Sequence, residues 1–326
     1  MKLTKRIELK SGARLHVQTI DPSGISGYRA GGIGIALKQP CVSVIASTAD
    51  ENLDTGYTED TKYLHEILSE NKFDGKLEGI KIYTKSEIPR HVGFGSGTSY
   101  RTLIRIAVSK LLNLDDDIYS LSSLTGVGQY ATLKGGLVLV SGVPEYTITP
   151  SQVLRGDKGI RVSPNLIGSY KIPRSWKVVL CIPKNPNIHS FSGEEESKFY
   201  SKLVPPKISD IHLITFEILA KLIPSIQYGD FNKFEEALSI ITKLGWKKYE
   251  KDLHREYWDI TSAAMQEIGA RFVGITSGGP TTFTILDSSK CNLENTRLQL
   301  ETKLNSVSKV VISDINNNGF YVKKGL

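Results

Sequence analysis

Cysteine is scarce and scattered, with Cys41, Cys181 and Cys291 the three in 326 residues. Their odd number and the absence of any CxxC spacing exclude a disulfide framework or a thiolate zinc site, and a reducing compartment fits. The six histidines are equally dispersed and no HExxH occurs, which argues against structural or catalytic zinc. No run of about eighteen apolar residues is found. The N-terminal stretch "MKLTKRIELK" alternates charge with Leu and Ile instead of building a secretory core. A soluble, cytoplasmic protein without a membrane partner is therefore expected. Internal repeats and low-complexity tracts are also missing.

What is present describes an ordinary folded chain: 40% apolar and 23% charged residues, long enough for two domains or one large one. The net charge of +7 admits nucleic acid, a membrane surface or anionic small molecules as partners. Most basic residues are interleaved with acids, as in "WKKYEKDLHREYWD" from Trp246, which is the usual pattern of a solvated helix face. No RNP-like aromatic strand, zinc finger or basic block accompanies the charge, so nucleic acid is not an expected partner. Anionic substrates account for it equally well.

The first fifty residues read as short strands, "KLTKRIEL", "ARLHVQTI", "GGIGIALK" and "CVSVIAST", punctuated by "DPSGISG". A helix is expected over Thr58–Asn71, then a strand at "GIKIYT", a glycine-rich loop, and a helix over "TSYRTLIRIAVSKLL". A second glycine-bearing stretch, "LTGVGQYATLKGG", leads to a strand near Leu137–Ser141. Turn-rich text between Ser151 and Arg174 suggests the approach to a domain boundary. Beyond it come a strand at "WKVVLCIP", a helix near "GEEESKFYSKL", three amphipathic helices between Ile208 and Ile268, a strand pair around "SGGPTTFTI", another helix and two closing strands. Strands and helices mix in both halves without a βαβ repeat, so the class is α+β.

The loop "IPRHVGFGSGT", Ile88–Thr98, raises the main functional question. A helix N-terminus carries unpaired N–H groups and partial positive charge, and glycines before it admit an anion close to the backbone. Gly93, Gly95, Ser96, Gly97 and Thr98 supply that arrangement, and phosphate is the natural guest. Arg90 could neutralise a phosphate, and His91 could donate a hydrogen bond or a proton. The plain alternative is a tight connection with His91 merely packed. No Lys-Ser/Thr pair follows the glycines, so this is not a P-loop, and Thr98 stands where the third glycine of G-x-G-x-x-G belongs.

The loop resembles the Pro-x-x-x-Gly-Leu-Gly-Ser-Ser motif of the GHMP small-molecule kinase superfamily. More closely it is similar to the "HVGLGSGT" form found in the archaeal β-ribofuranosylaminobenzene 5′-phosphate synthase family. "ARLHVQTID" (13–21), "GGIGIALKQP" (31–40), "TGVG…KGG" (125–136), "W…P…SGEEE" (176–196) and "TSGGPTTF" (276–283) agree in order. In many GHMP kinases an Asp removes the hydroxyl proton at the position of Gly128 here, and glycine cannot. The synthase family often has a Gly-Arg-Gly before Thr125, where this chain reads "YSLSSL".

The resemblance implies a GHMP-kinase-like two-domain fold. An N-terminal domain of the ribosomal protein S5 domain 2 type would span 1–165, and a ferredoxin-like C-terminal domain 166–326. It implies condensation of phosphoribosyl pyrophosphate with 4-aminobenzoate or a 4-hydroxybenzoate-like acid, losing pyrophosphate and CO2, in methanopterin-type cofactor synthesis. An ATP-dependent small-molecule kinase is the alternative. Mg²⁺ is the expected cofactor, with Ser96 as its candidate contact, and a homodimer is compatible. Gly93 to Thr98 with Arg90 would hold phosphate, and Arg14, His16, Asp21 and His91 are the catalytic candidates. Arg14 and His16 share one strand face, two residues apart. Ser277, Gly279 and Thr281 would close the site from the second domain. Glu194, Glu195 and Glu196 read as helix-start acids rather than metal ligands.

Overall fold

The computed structural model describes residues 6–48, 80–113, 126–144, 164–188 and 206–324. The expected helix at Thr58–Asn71, the one at "GEEESKFYSKL" with Glu194–Glu196, and Thr125 lie outside these residues.

Two long strands carry the N-terminal half: β1 (Arg6–Asp21) and β2 (Tyr28–Thr48). Each joins two of the short strands expected from the sequence. The Gly12 break in β1 is absorbed as a register shift against β2, so the ladder continues where turn residues suggested a stop. After β3 (Ile80–Ser86) and the glycine loop come α1 (Ser96–Leu112), α2 (Gly126–Lys134), β4 (Leu137–Pro144) and β5 (Leu166–Tyr170). The second glycine stretch is thus largely helical. Its glycines do not break the helix because α2 is buried almost throughout and packs on β1, β2 and β4.

β6 (Trp176–Pro183) opens the second half. A helix runs from α3 (Ile208–Phe216) through a π-helical segment (Glu217–Leu222) into α4 (Ile223–Tyr228). Then follow α5 (Phe231–Ile241), α6 (Lys247–Leu253), α7 (Arg255–Glu267), β7 (Gly274–Ile275), β8 (Thr282–Asp287), α8 (Leu293–Leu304), β9 (Ser308–Asp314) and β10 (Tyr321–Lys324). Asp230 and Asn292 cap α5 and α8, their side chains accepting from the N–H groups of Lys233 and Asn295 at 3.1 Å each.

The first sheet has the order β10-β1-β2-β4-β5, with β3 also paired to β2; the second is β7-β8-β6-β9, antiparallel throughout. β5 and β10 both lie beyond residue 165 and both complete the first sheet. The β6 text "WKVVLCIP" is apolar without alternation because both faces are covered. Val178, Leu180 and Ile182 join the main core with Phe234 and Leu238 of α5, while Val179 and Cys181 face Met265 of α7 and Leu300 and Leu304 of α8.

The two sheets meet across the first strands. Gln18 on β1 is buried, and its amide donates to the carbonyls of Ile241 and Leu244 at the end of α5. Leu37 of β2 forms an isolated bridge with Ile315 after β9. These ties bring the loop between β7 and β8 against β1 and the glycine loop.

Candidate functional site

The chain enters α1 through two left-handed glycines, Gly93 at φ 90° and Gly95 at φ 64°, with His91 also positive at 56°. Gly95 is the N-cap residue and no side chain caps the helix. Its carbonyl accepts the Ser99 N–H at 3.1 Å, starting the helical ladder. The amides of Ser96 and Gly97 have no main-chain acceptor among the described residues. A Cβ placed on Gly97 would meet nothing within 4 Å among the described residues, so the first turn is open as far as these residues reach. The hydroxyls of Ser96 and Thr98, both half-buried, belong to the same turn.

Arg14 lies beneath this turn. Its side chain is buried and Nη1 donates to Gly93 O at 2.9 Å, while its main-chain N–H reaches Phe94 O at 3.3 Å. The guanidinium sits where a Gly95 Cβ would point, about 3 Å away from it. A fixed positive charge therefore backs the positive end of the α1 dipole, an arrangement that favours an anion at the opening.

The third wall is the turn between β7 and β8, with Ser277 at φ 50° and Gly279 at φ 76°. Thr276 is its anchor, fully buried, accepting from His16 N–H at 2.9 Å and donating to Gly93 O at 2.9 Å. Ser277 N–H bonds His16 O at 3.4 Å, and Gly278 O contacts the His254 ring at 2.8 Å. Thr281 is buried and takes part through its main chain, its carbonyl accepting from Thr276 N–H at 3.1 Å. Arg14, His16, Gly93, Gly95, Ser277 and Gly279 are thus brought together from three distant stretches.

His16 is shielded. Burial, then the nearby Lys247 and Arg14 charges, hold its pKa well below 6.5, so the ring is neutral at physiological pH. Its Nδ1 has no partner among the described residues.

Asp21 serves its own turn. Its carboxylate accepts from the N–H groups of Ser23, Gly24 and Ser26 at 3.1, 2.8 and 2.9 Å, and from the Ser23 and Ser26 hydroxyls at 2.7 and 2.8 Å. Burial alone would raise its pKa, but these bonds outweigh it and hold the group below its ordinary 3.8. A lowered folded pKa gives stability that is present above the unfolded value and lost as pH falls through the folded one. Asp21→Asn, which replaces an acceptor oxygen by a donor, is expected to lower the melting temperature at pH 7 and to differ less from the parent below pH 3. Melting curves from pH 2.5 to 7 check this.

Arg90 and His91 are exposed, with Arg90 Nε 4.0 Å from the Glu87 carboxylate. They line, with Val92, Pro183, Asn185, Pro186 and Ile188, a cavity of about 450 Å³ directly before the glycine loop. Among the described residues no group of three or more His, Cys, Asp or Glu could hold a metal. Mg²⁺ bound chiefly by substrate phosphates needs few protein ligands, and the Ser96 hydroxyl at the helix start fits that role. Gly128, at the position where many kinases carry their base, is buried inside α2, where its carbonyl accepts from Thr132 Oγ1 at 3.1 Å.

Thr276, Lys247 and His254 are contributors the sequence reading missed. Thr276 stood next to the flagged Ser277, and its role depends on partners 183 and 260 residues away. Only the position of "TSGG" at a strand end hinted at it.

Comparison with known proteins bears on the fold. Residues 61–137, which include the glycine loop, match the family described as GHMP kinases N terminal domain. The β-ribofuranosylphenol 5′-phosphate synthase of Archaeoglobus fulgidus is 26% identical over 97% of this chain and 99% of its own. That of Methanothermobacter thermautotrophicus is 24% identical over 97% and 98%. Among solved structures, homoserine kinase from Cytophaga hutchinsonii superposes with a TM-score of 0.68 at 15% identity, covering 99% of both chains. No helix among the described residues is long and apolar enough to cross a membrane. The resemblance read from the motifs stands: this chain has the GHMP-kinase fold and is similar along nearly its whole length to the β-ribofuranosylphenol 5′-phosphate synthases.

Proposed function

We propose that the protein is a decarboxylating phosphoribosyl-transferring synthase, joining C1 of phosphoribosyl pyrophosphate to the ring of an aromatic acid in methanopterin-type cofactor synthesis. The observation that carries this reading is the open first turn of α1 backed by the buried Arg14 guanidinium. That combination suits a leaving diphosphate, whose charge grows as its bond to C1 breaks. The bond electrons leave on the pyrophosphate oxygen. The ring carbon bearing the carboxylate then bonds to C1, and CO2 departs, leaving its electron pair in the ring. Mg²⁺, when bound, would neutralise pyrophosphate oxygens.

The chain's own residues divide the remaining work. The amides and hydroxyls at Ser96–Thr98 bind the diphosphate, and Arg14 supplies a fixed field. Neutral His16 offers a hydrogen-bonding ring nitrogen without adding a third positive charge. The cavity at Arg90 and His91 has the size and the mixed apolar and cationic lining to admit an aromatic carboxylate. The relatives' name specifies a phenol product, so 4-hydroxybenzoate is the first acceptor to test and 4-aminobenzoate the second.

The kinase fold keeps ATP-dependent phosphoryl transfer as the competing reading. Incubation with Mg²⁺, phosphoribosyl pyrophosphate and each aromatic acid is expected to release pyrophosphate and CO2 in equal amounts, dependent on the acid. ADP formation from ATP and an alcohol such as homoserine, with no pyrophosphate release in the first assay, would overturn the proposal. Ser96→Ala combined with Thr98→Val removes two hydroxyls worth about 1 kcal/mol each. Its affinity for inorganic pyrophosphate, read by calorimetric titration, is expected to fall by about tenfold or more.

A further inference from the structure

Lys247, in a stretch whose alternating charges read as a solvated face, is 1% exposed. Its ammonium donates to Glu250 Oε2 at 2.6 Å, Ile275 O at 3.0 Å and His16 O at 3.2 Å, with Ser277 O at 3.5 Å. An ammonium has three protons, so these partners saturate it. Burial pulls the Lys247 pKa below its ordinary range despite the adjoining Glu250. Stability alone does not call for such a pair, since an apolar pair of similar volume commonly folds as well or better.

The carbonyls it gathers explain its position. His16 belongs to β1, two residues from Arg14. Ile275 and Ser277 flank Thr276, the residue whose hydroxyl bridges His16 N–H and Gly93 O. Lys247 therefore clasps both sides of that bridge from behind. Thr276 O and Gly279 O in turn abut Gly93, leaving no room there for a side chain.

We propose that Lys247, neutralised by Glu250, is a positioning residue for the diphosphate site: it fixes the turn at Thr276–Gly279 against β1 so that the glycine loop keeps its anion-binding shape. The inference rests on the proposed function only for the identity of the anion.

The decisive variant is Lys247→Met with Glu250→Gln, which removes both charges and all the carbonyl bonds while leaving no unpaired buried ion. It is expected to melt within about 5 °C of the parent. Its affinity for inorganic pyrophosphate with Mg²⁺ should fall at least tenfold, and kcat with phosphoribosyl pyrophosphate should fall by a similar factor while KM for the aromatic acid holds within about threefold. Glu250→Gln alone leaves the buried Lys247 ammonium without its counter-charge and is expected to melt well below the double variant. A folded double variant that binds pyrophosphate within about twofold of the parent overturns the proposal. Should it not fold, hydrogen exchange of the parent decides: pyrophosphate must slow amides in 275–279 as well as 93–98, and protection confined to 93–98 overturns it. If the parent shows no turnover with phosphoribosyl pyrophosphate, the functional reading fails, yet the pyrophosphate titration still tests the role of Lys247.

Discussion

Gly93→Ala is expected to lower the melting temperature by about 10 °C and to abolish measurable pyrophosphate binding. Two independent costs combine at this residue. Its φ of 90° lies outside the conformations a residue with a Cβ adopts readily, which costs about 1–3 kcal/mol. The added methyl would also overlap Thr276 O and stand 2.9 Å from both Gly279 O and Thr276 Cγ2. Main-chain oxygen cannot rotate away as a flexible side chain would, so the turn between β7 and β8 must shift, at about 1–3 kcal/mol more. That turn holds Gly93 O through Thr276, and the loop loses its anchor as it moves.

Gly97→Ala is the matched control. Gly97 has open space around it among the described residues and sits in the first turn of α1, where alanine is a better helix former than glycine. Its melting temperature is expected to stay level or rise, while pyrophosphate affinity falls because the methyl occupies the opening. Equal melting losses in the two variants would show that Gly93 is not the buried junction described here.

The contrast also marks what could be read from the sequence. Three alternating glycines before an amphipathic helix located the turn and the helix start, because backbone freedom and helix ends are local properties. Their division of labour was not legible: Gly93 is fixed by a turn more than 180 residues away, whereas no described residue closes on Gly97. The same limit applies to Lys247. Its spacing to Glu250 is that of an exposed ion pair, and only the packing of α6 behind His16 and Ile275 makes it interior. Asp21 shows the reverse case, a carboxylate in a matched motif whose five bonds lie within its own turn, as the neighbouring "PSGIS" already allowed. The separate strands "KLTKRIEL" and "ARLHVQTI", like "GGIGIALK" and "CVSVIAST", merge for a related reason, since the β1–β2 ladder resumes across a register shift between Gly12 and Arg14.

Arg14→Met is expected to weaken pyrophosphate binding by about thirtyfold, near 2 kcal/mol. Without a bound anion the guanidinium faces the positive end of α1, an unfavourable arrangement for the charge. Methionine fills much of the same volume, removes that charge from the helix end and leaves Gly93 O its bond from Thr276. With an anion at the opening the sign reverses, because the charge beneath Gly95 then attracts across a poorly screened path. Arg14→Lys should fall between the two: the charge stays, but a single ammonium reproduces the placement of the planar guanidinium poorly. Titration with inorganic pyrophosphate at two ionic strengths separates field from contact. If Arg14 acts through its field, the parent's affinity drops with salt more steeply than that of Arg14→Met. Parallel salt dependence with unchanged affinity would remove Arg14 from the site and leave anion binding to the helix terminus alone.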